Sequence, residues 1–396
     1  MIVLTGADLV LPDRVLPGGT LVIDHGRIAE LRPDSQVSHA SSFAFHGHTI
    51  VPGFVDAHVH GVLGVDTLDA GDAVSRIASA LPRYGVTAFC PTTVACGADD
   101  LARVLGQVRA CRQHQPSRAA RVLPAHLESS FINPEYAGAQ PHAHIRTPAG
   151  APDLLAIIDA YAAEIAIVTM APEVADGLDL VAWLTARGIR VSLGHSGASC
   201  EVGLAAIEAG AVQATHLFNR MPPLHHRDPG LAGAVLQSPD VVAELICDGV
   251  HVHPAMVRLT VAAKTPARVM AVSDATAVAG LAPGGTGALG GRCITAAARH
   301  AVLDDGTMAG SILTMDAAFR NLTGPMGFSL VDAATLCATT PARQLGLAGQ
   351  GHIVEGGSAD LVVLDRAHEV VQTYVDGRLV YARGVQDGNS ARIASV

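Results

Sequence analysis

The chain is predicted to be an α/β protein: a (β/α)8 TIM-like barrel with a small β-sandwich domain built from both chain termini. Three observations predict this. Apolar, β-branched-rich runs alternate with helical patterns through the middle of the chain, eight strands in all, which favours a closed barrel over an open sheet. Six short stretches end in a polar residue able to hold a metal ion or move a proton: VPGFVDAHVHG carries His58 and His60, and the others end at Glu128, His195, His216, His251 and Asp274. Both ends of the chain read as short strands joined by tight turns.

The terminal segments are residues 1–50 and 346–396, flanking a barrel over 51–345. The first contains MIVLTGADLVL and GGTLVIDHGRIAEL, with a turn at Asp24-His25-Gly26. The last contains GHIVEGGSADLVVLD and VVQTYVDGRLVYARGV, which alternates in period two around Asp376-Gly377, a hairpin signal. Between them, strands are expected at 50–57, 86–91, 121–127, 164–170, 189–194, 212–217, 241–247 and 268–273. Helical patterns cover 72–83, 98–112, 176–187 and 199–209, and Gly188 and Gly210 close the last two. The Gly-rich stretch 281–300 reads as a mobile loop with a β excursion. No strand-to-helix turn frames its glycines, so it does not read as a nucleotide site.

Composition narrows the function. Of 396 residues, 49% are hydrophobic and 16% charged, yet no uninterrupted apolar run reaches the ~18–20 residues that span a bilayer. The apolar content therefore belongs to a buried core. The N-terminus has no basic region and meets Asp8 and Asp13 early, so it reads as a strand rather than a signal peptide, and a cytoplasmic location is expected. A net charge of −10 with no basic stripe argues against nucleic acid. The seven cysteines show no CxxC spacing and read as reduced, mostly buried thiols.

A hydrolytic metal site needs N and O ligands that converge and leave a position open for water. Glu128, His195 and His216, at three separate strand ends, make such a set. His58 and His60 point the same way from an extended strand and could add a second ion, with Glu128 bridging. His126, two residues before Glu128, lies deeper and reads as structural. Asp274 ends the eighth strand facing the metal, placed to take a proton from water and return it to a leaving nitrogen. Asp248 and His251 lie at the mouth, with His251 the better candidate to touch substrate, and Asp56 is expected to bond near the first-strand histidines. His142, His144, His225 and His226 sit in polar loops and read as mostly solvent-facing.

Together these residues resemble the amidohydrolase superfamily and, within it, the N-acetylglucosamine-6-phosphate deacetylase family. PGFVDAHVHG (52–61) and the C-terminal GHIVEGGSADLVVLD are shared across the superfamily. VTMAPE (168–173), SLGHSGAS (192–199), ATHLFNRMPPLHHRDPGLAGA (214–234), ICDGVHVHP (246–254) and VSDATAVAG (272–280) are more specific. The resemblance covers nearly the whole chain. It implies one or two divalent ions, zinc first and iron, cobalt or manganese otherwise, at Glu128, His195 and His216 with His58 and His60. It implies Asp274 as catalytic acid/base, Asn219 and Arg220 on the substrate phosphate through backbone N–H groups, and His251 on the sugar. Met308 would lie near the acetyl-bearing sugar, and Arg227 would reach the phosphate of a neighbouring subunit's substrate in a homodimer. The implied partner is an amino-sugar phosphate, and the implied reaction removes its acetyl group.

The chain also departs from that pattern. Ser129-Ser130 replace the family's Gly-Pro after the metal carboxylate, and Gln140 stands where a histidine is often found to polarise the acetyl carbonyl or hold a sugar hydroxyl. Arg220 occupies a place that often holds a small residue. Strand four carries no lysine for carbamylation, which argues against the hydantoinase and dihydroorotase branch. Two other readings stay open: a deacylase of another N-acyl amino sugar or amino acid, and a non-catalytic sugar-phosphate binder.

Overall fold

The computed structural model describes residues 1–33 and 42–384. Eight parallel strands build the barrel: β1 (Phe54–Val59), β2 (Val86–Thr93), β3 (Ala125–Glu128), β4 (Ile165–Met170), β5 (Arg190–Leu193), β6 (Gln213–Ala214), β7 (Val242–Ile246) and β8 (Val269–Val272). Each pairs with the next in sequence order. Strands β1, β2, β4, β7 and β8 are buried along their whole length, which is why they read as continuous apolar runs. The expected strand at 121–127 is divided: Arg121–Val122 pairs with β2, and β3 resumes after Pro124, which has no N–H for the ladder.

The ring closes between β8 and β1 by a few irregular bonds. Asp274 N donates to His58 O (2.9 Å) and His60 N to Ala275 O (2.8 Å). The Asp56 carboxylate accepts from Ser273 N (3.2 Å) and Ser273 Oγ (2.5 Å). A helix follows each strand. The one at Ala73–Ala80 turns Ala73, Val74, Ile77 and Ala78 onto the barrel. Ser199 caps Cys200–Glu208 by accepting from Val202 N (3.3 Å), and Gly188 and Gly210 follow their helices at φ +72° and +120°.

The termini meet in one eight-stranded, mostly antiparallel sheet. Leu361–Leu364 lies antiparallel on Thr49–Pro52, with Val362 opposite Val51, and this pairing joins the two ends of the chain. Side chains alternate across it. Ile50, Leu361 and Val363 enter a separate core with Leu4, Leu21 and Ile28, whereas Val51, Val362 and Leu364 pack on the barrel. The turns lie where the sequence places them. His25-Gly26 and Asp376-Gly377 hold positive φ between the pairs Asp24/Arg27 and Val375/Arg378. Arg121 ties barrel to sheet through Asp360 (3.2 Å) and Asp376 (2.8 Å).

One expectation needs correction. The apolar run 50–57 is not one strand: Thr49–Pro52 belongs to the terminal sheet, and β1 begins at Phe54. The break falls at Gly53, where a Cβ would stand 2.3 Å from the Thr87 side chain. The stretch 281–300 carries the expected β excursion over nine of its twenty residues, in two strands. Thr286–Leu289, Arg292–Ala296 and Ala301–Leu303 form a three-stranded sheet, with Gly290-Gly291 as its first turn. Its apolar face, including Leu289 and Ile294, packs with Val94 and Val278 above the barrel. Gly53→Ala should lower stability by about 1–3 kcal/mol through overpacking against Thr87, measured by denaturant unfolding against the parent protein.

Candidate active site

The barrel's strand ends assemble the site. Glu128 ends β3, His195 follows β5 after Gly194, and His216 follows β6 after Thr215. Glu128 Oε1 lies 2.9 Å from His195 Nε2 and 3.0 Å from His216 Nε2, and the two nitrogens are 3.1 Å apart. His195, His216 and Asp274 all leave their strands at positive φ (49°, 30° and 47°). Such backbone costs about 1–3 kcal/mol per residue and persists where packing holds it.

The donor chemistry fits a divalent cation. His195 Nδ1 donates to Tyr136 O (2.8 Å), so its Nε2 carries a lone pair into the centre. Ligands about 2.0–2.1 Å from a tetrahedral ion stand roughly 3.3 Å apart, close to the spacing of these three atoms. A second group adjoins the first. His58 Nε2 and His60 Nε2 are 3.2 Å apart, and Asp274 Oδ1 lies 3.4 Å and 3.2 Å from them. Glu128 reaches this side too, with Oε2 3.4 Å from His60 Nε2. The Nδ1 atoms of His60 and His216 have no hydrogen-bond partner among the described residues.

The field of the centre demands positive charge. Burial disfavours protonated His58, yet Asp274, Glu244 and Glu128 together raise its pKa to about 9. His60 behaves alike: burial opposes, but Asp274 and Glu128 raise it to about 10. Burial would raise the carboxyl groups, but the imidazoles around them hold both Glu128 and Asp274 below the usual range. A divalent cation would answer the same field. His126, by contrast, is pushed down to about 4 by burial and by His58, and it stays neutral. Its ring bonds Ala57 O (3.0 Å) and Thr169 Oγ1 (2.7 Å) beneath the centre, as a structural group would.

A cavity of about 510 Å³ opens above these residues. Gln140, Asn219, Arg220, His251 and Met308 line it, together with His60, Glu128, His195, His216 and Asp274. Arg227 does not. It is exposed on the 221–229 loop, with Nη1 2.9 Å from His226 Nε2 rather than on Asp228. His251 Nδ1 donates to Asp248 Oδ2 (2.6 Å), which leaves Nε2 to meet a ligand. Gln140 Oε1 accepts from Ala95 N (2.7 Å), and its Nε2 donates to Glu128 Oε2. One of the two amide hydrogens is therefore committed to the carboxylate. Asp56 bonds His58 through the backbone (His58 N to Oδ1, 3.3 Å) rather than through the ring. The Ser129-Ser130 turn is braced by the Ser129 hydroxyl, which donates to Thr169 O (2.6 Å) and accepts from Phe131 N (3.1 Å).

The sequence reading gave no role to three groups that hold the site. Glu173 accepts from Asn133 Nδ2 (2.9 Å), Gly197 N (2.6 Å) and Ser196 Oγ (2.7 Å), fixing the loop after His195. Glu244 accepts from His58 Nδ1 (3.0 Å). The Tyr136 carbonyl orients His195. Glu244 had a signal, a carboxylate in the middle of an apolar strand; the carbonyl had none.

A parallel barrel with carboxylate and imidazole groups gathered at its strand ends is built as a metal-dependent barrel enzyme, and residues 49–380 match the amidohydrolase family. N-acetylglucosamine-6-phosphate deacetylase of Bacillus subtilis is 33% identical, covering 94% of this chain and 95% of the relative. The Rattus norvegicus protein of the same name is 36% identical, over 93% and 94%. A Mycobacterium smegmatis mutant of that name, solved in complex with N-acetyl-D-glucosamine-6-phosphate, superposes with a TM-score of 0.88 at 32% identity, covering 96% of this chain and 99% of that one. The chain belongs to the N-acetylglucosamine-6-phosphate deacetylase family of amidohydrolases. His195→Ala should lower divalent-metal affinity by more than the roughly 10–100-fold lost with an outer partner of a ligand, read by elemental analysis after dialysis, with the circular dichroism spectrum unchanged.

Proposed function

We propose that this chain hydrolyses the acetamide of N-acetyl-D-glucosamine 6-phosphate to D-glucosamine 6-phosphate and acetate. The observation that carries the reading is the Asp274 carboxylate, 3.2 Å from His60 and on the same cavity as Glu128, His195 and His216. Family membership supplies the substrate, since the solved relative of M. smegmatis carries this sugar phosphate.

Glu128, His195 and His216 would hold one ion and His58 with His60 a second, with Glu128 between them. We assign zinc, while iron, cobalt and manganese suit the same donors. When bound, the metal supplies Lewis acidity, polarising the amide carbonyl and lowering the pKa of water at the site. Asp274 takes a proton from water as its oxygen bonds to the acetyl carbon. It then delivers that proton to the sugar nitrogen as the C–N bond breaks, so acetate and the free amine leave. The uncommitted N–H of Gln140 donates to the acetyl oxygen. The N–H of Arg220 receives the phosphate, whereas that of Asn219, expected to share it, is committed to His216 O (2.9 Å); His251 Nε2 meets the sugar, and Met308 gives the acetyl-bearing side an apolar wall. Arg227 acts across a homodimer on the partner's substrate phosphate, where a guanidinium can make paired bonds. Its exposure on a Pro/His-rich loop supports that placement. We place the enzyme in the cytoplasm; among the described residues no helix is long and apolar enough to cross a membrane.

Asp274→Asn should lower kcat by about 10²–10⁴-fold, the usual scale for a lost acid/base, with metal content retained. Unchanged turnover would contradict the assignment. N-acetylglucosamine without the 6-phosphate should be a much poorer substrate in kcat/KM assays. Equal rates would remove the phosphate from the proposal.

A further inference from the structure

Strand β7 is buried throughout, yet it carries Glu244 in its middle with no exposed surface. A buried carboxylate persists only where its oxygens are bonded and its charge is balanced. Glu244 Oε2 accepts from His58 Nδ1 (3.0 Å) and from the backbone N–H of His216 (3.2 Å). Oε1 accepts from Gln213 Nε2 (2.6 Å). Among these donors only the His58 ring is ionisable.

The bond to His58 does two things. It keeps a proton on Nδ1, so Nε2, beside His60 Nε2 and Asp274 Oδ1, is the nitrogen that a cation would meet in place of a proton. It also sets a negative charge behind the ring, which makes Nε2 a stronger donor to a cation. The other half of the centre is supported elsewhere. His195 is oriented by the Tyr136 carbonyl, and Glu128 accepts from Gln140. Glu244 touches His216 only through the backbone, and no hydrogen bond joins it to the His216 ring, whose Nδ1 has no partner among the described residues. The one bond from Glu244 to an imidazole ring therefore lies on the His58 side, while its hold on the other side is on the His216 backbone alone.

We propose that Glu244 is a positioning residue that sets the affinity of the His58/His60 side for a second divalent ion, separately from the Glu128/His195/His216 side. The inference rests on the metal assignment proposed above. Its test is a Zn²⁺ titration of chelator-stripped parent and Glu244→Gln proteins, with bound ions counted by elemental analysis. The parent should take two ions. The variant should take the first as the parent does and the second about 10–100-fold more weakly, the scale of a lost outer partner. Two ions bound by the variant with parental affinities would overturn the inference alone, as would equal weakening of both. A parent that binds one ion would overturn it and leave the hydrolase reading standing. A parent that binds none would sink both. Should the variant fail to fold, the parent decides: with isotope-labelled histidine, the His58 Nδ1–H resonance should move on the second equivalent of Zn²⁺, and a resonance that stays in place overturns the inference.

Discussion

Two buried carboxylates govern this structure. Glu128 and Asp274 are 3% and 6% exposed and face the imidazoles of His58, His60, His195 and His216 at the top of an apolar barrel. Charge taken out of water costs several kcal/mol per group unless an opposite charge meets it. The fold supplies the geometry in which one or two cations can do so. The same bonds that close the ring also set the site: Asp274 N on His58 O, and Asp56 on Ser273. Barrel closure and the position of Asp274 are one constraint.

Beneath the centre the barrel is filled by a hydrogen-bonded layer instead of bare hydrocarbon. His126 meets Thr169 (2.7 Å), Thr169 meets Thr215 (2.7 Å), and Thr215 meets Ser192 (2.6 Å). Each group finds a partner, so the polar layer stiffens the barrel floor rather than weakening it. His195 and His216 hold left-handed backbone just above that floor, and Asp274 is held in the same conformation by its own backbone bonds to His58 O (2.9 Å) and from Ser311 N (2.8 Å).

Much of this was legible in the sequence. Strands buried on both faces read as apolar runs, and a histidine or carboxylate closing such a run stands out. Glu128, His195, His216 and Asp274 were visible for that reason, and the structure brings them together. The hairpin turns at Gly26 and Gly377 were visible because few other residues accept their backbone. What stayed hidden depends on partners far along the chain. The apolar run across Pro52-Gly53 changes sheets at that dipeptide; Pro-Gly marks a break, but nothing local says which sheet each half joins. The glycines of 281–300 suggested a loop with a β excursion but not its packing, because the contacts of Leu289 and Ile294 with Val94 are tertiary. Glu244 acts on His58, 186 positions away. Arg227 stands outside the cavity, which its place in the 221–229 loop did not reveal.

The most direct test is anomalous X-ray diffraction at the absorption edge of whichever metal the purified protein carries. The account predicts a peak about 2.0–2.2 Å from Glu128 Oε1, His195 Nε2 and His216 Nε2, on the cavity wall shared with Asp274. A crystal grown from metal-replete protein with no peak among those three atoms would contradict it.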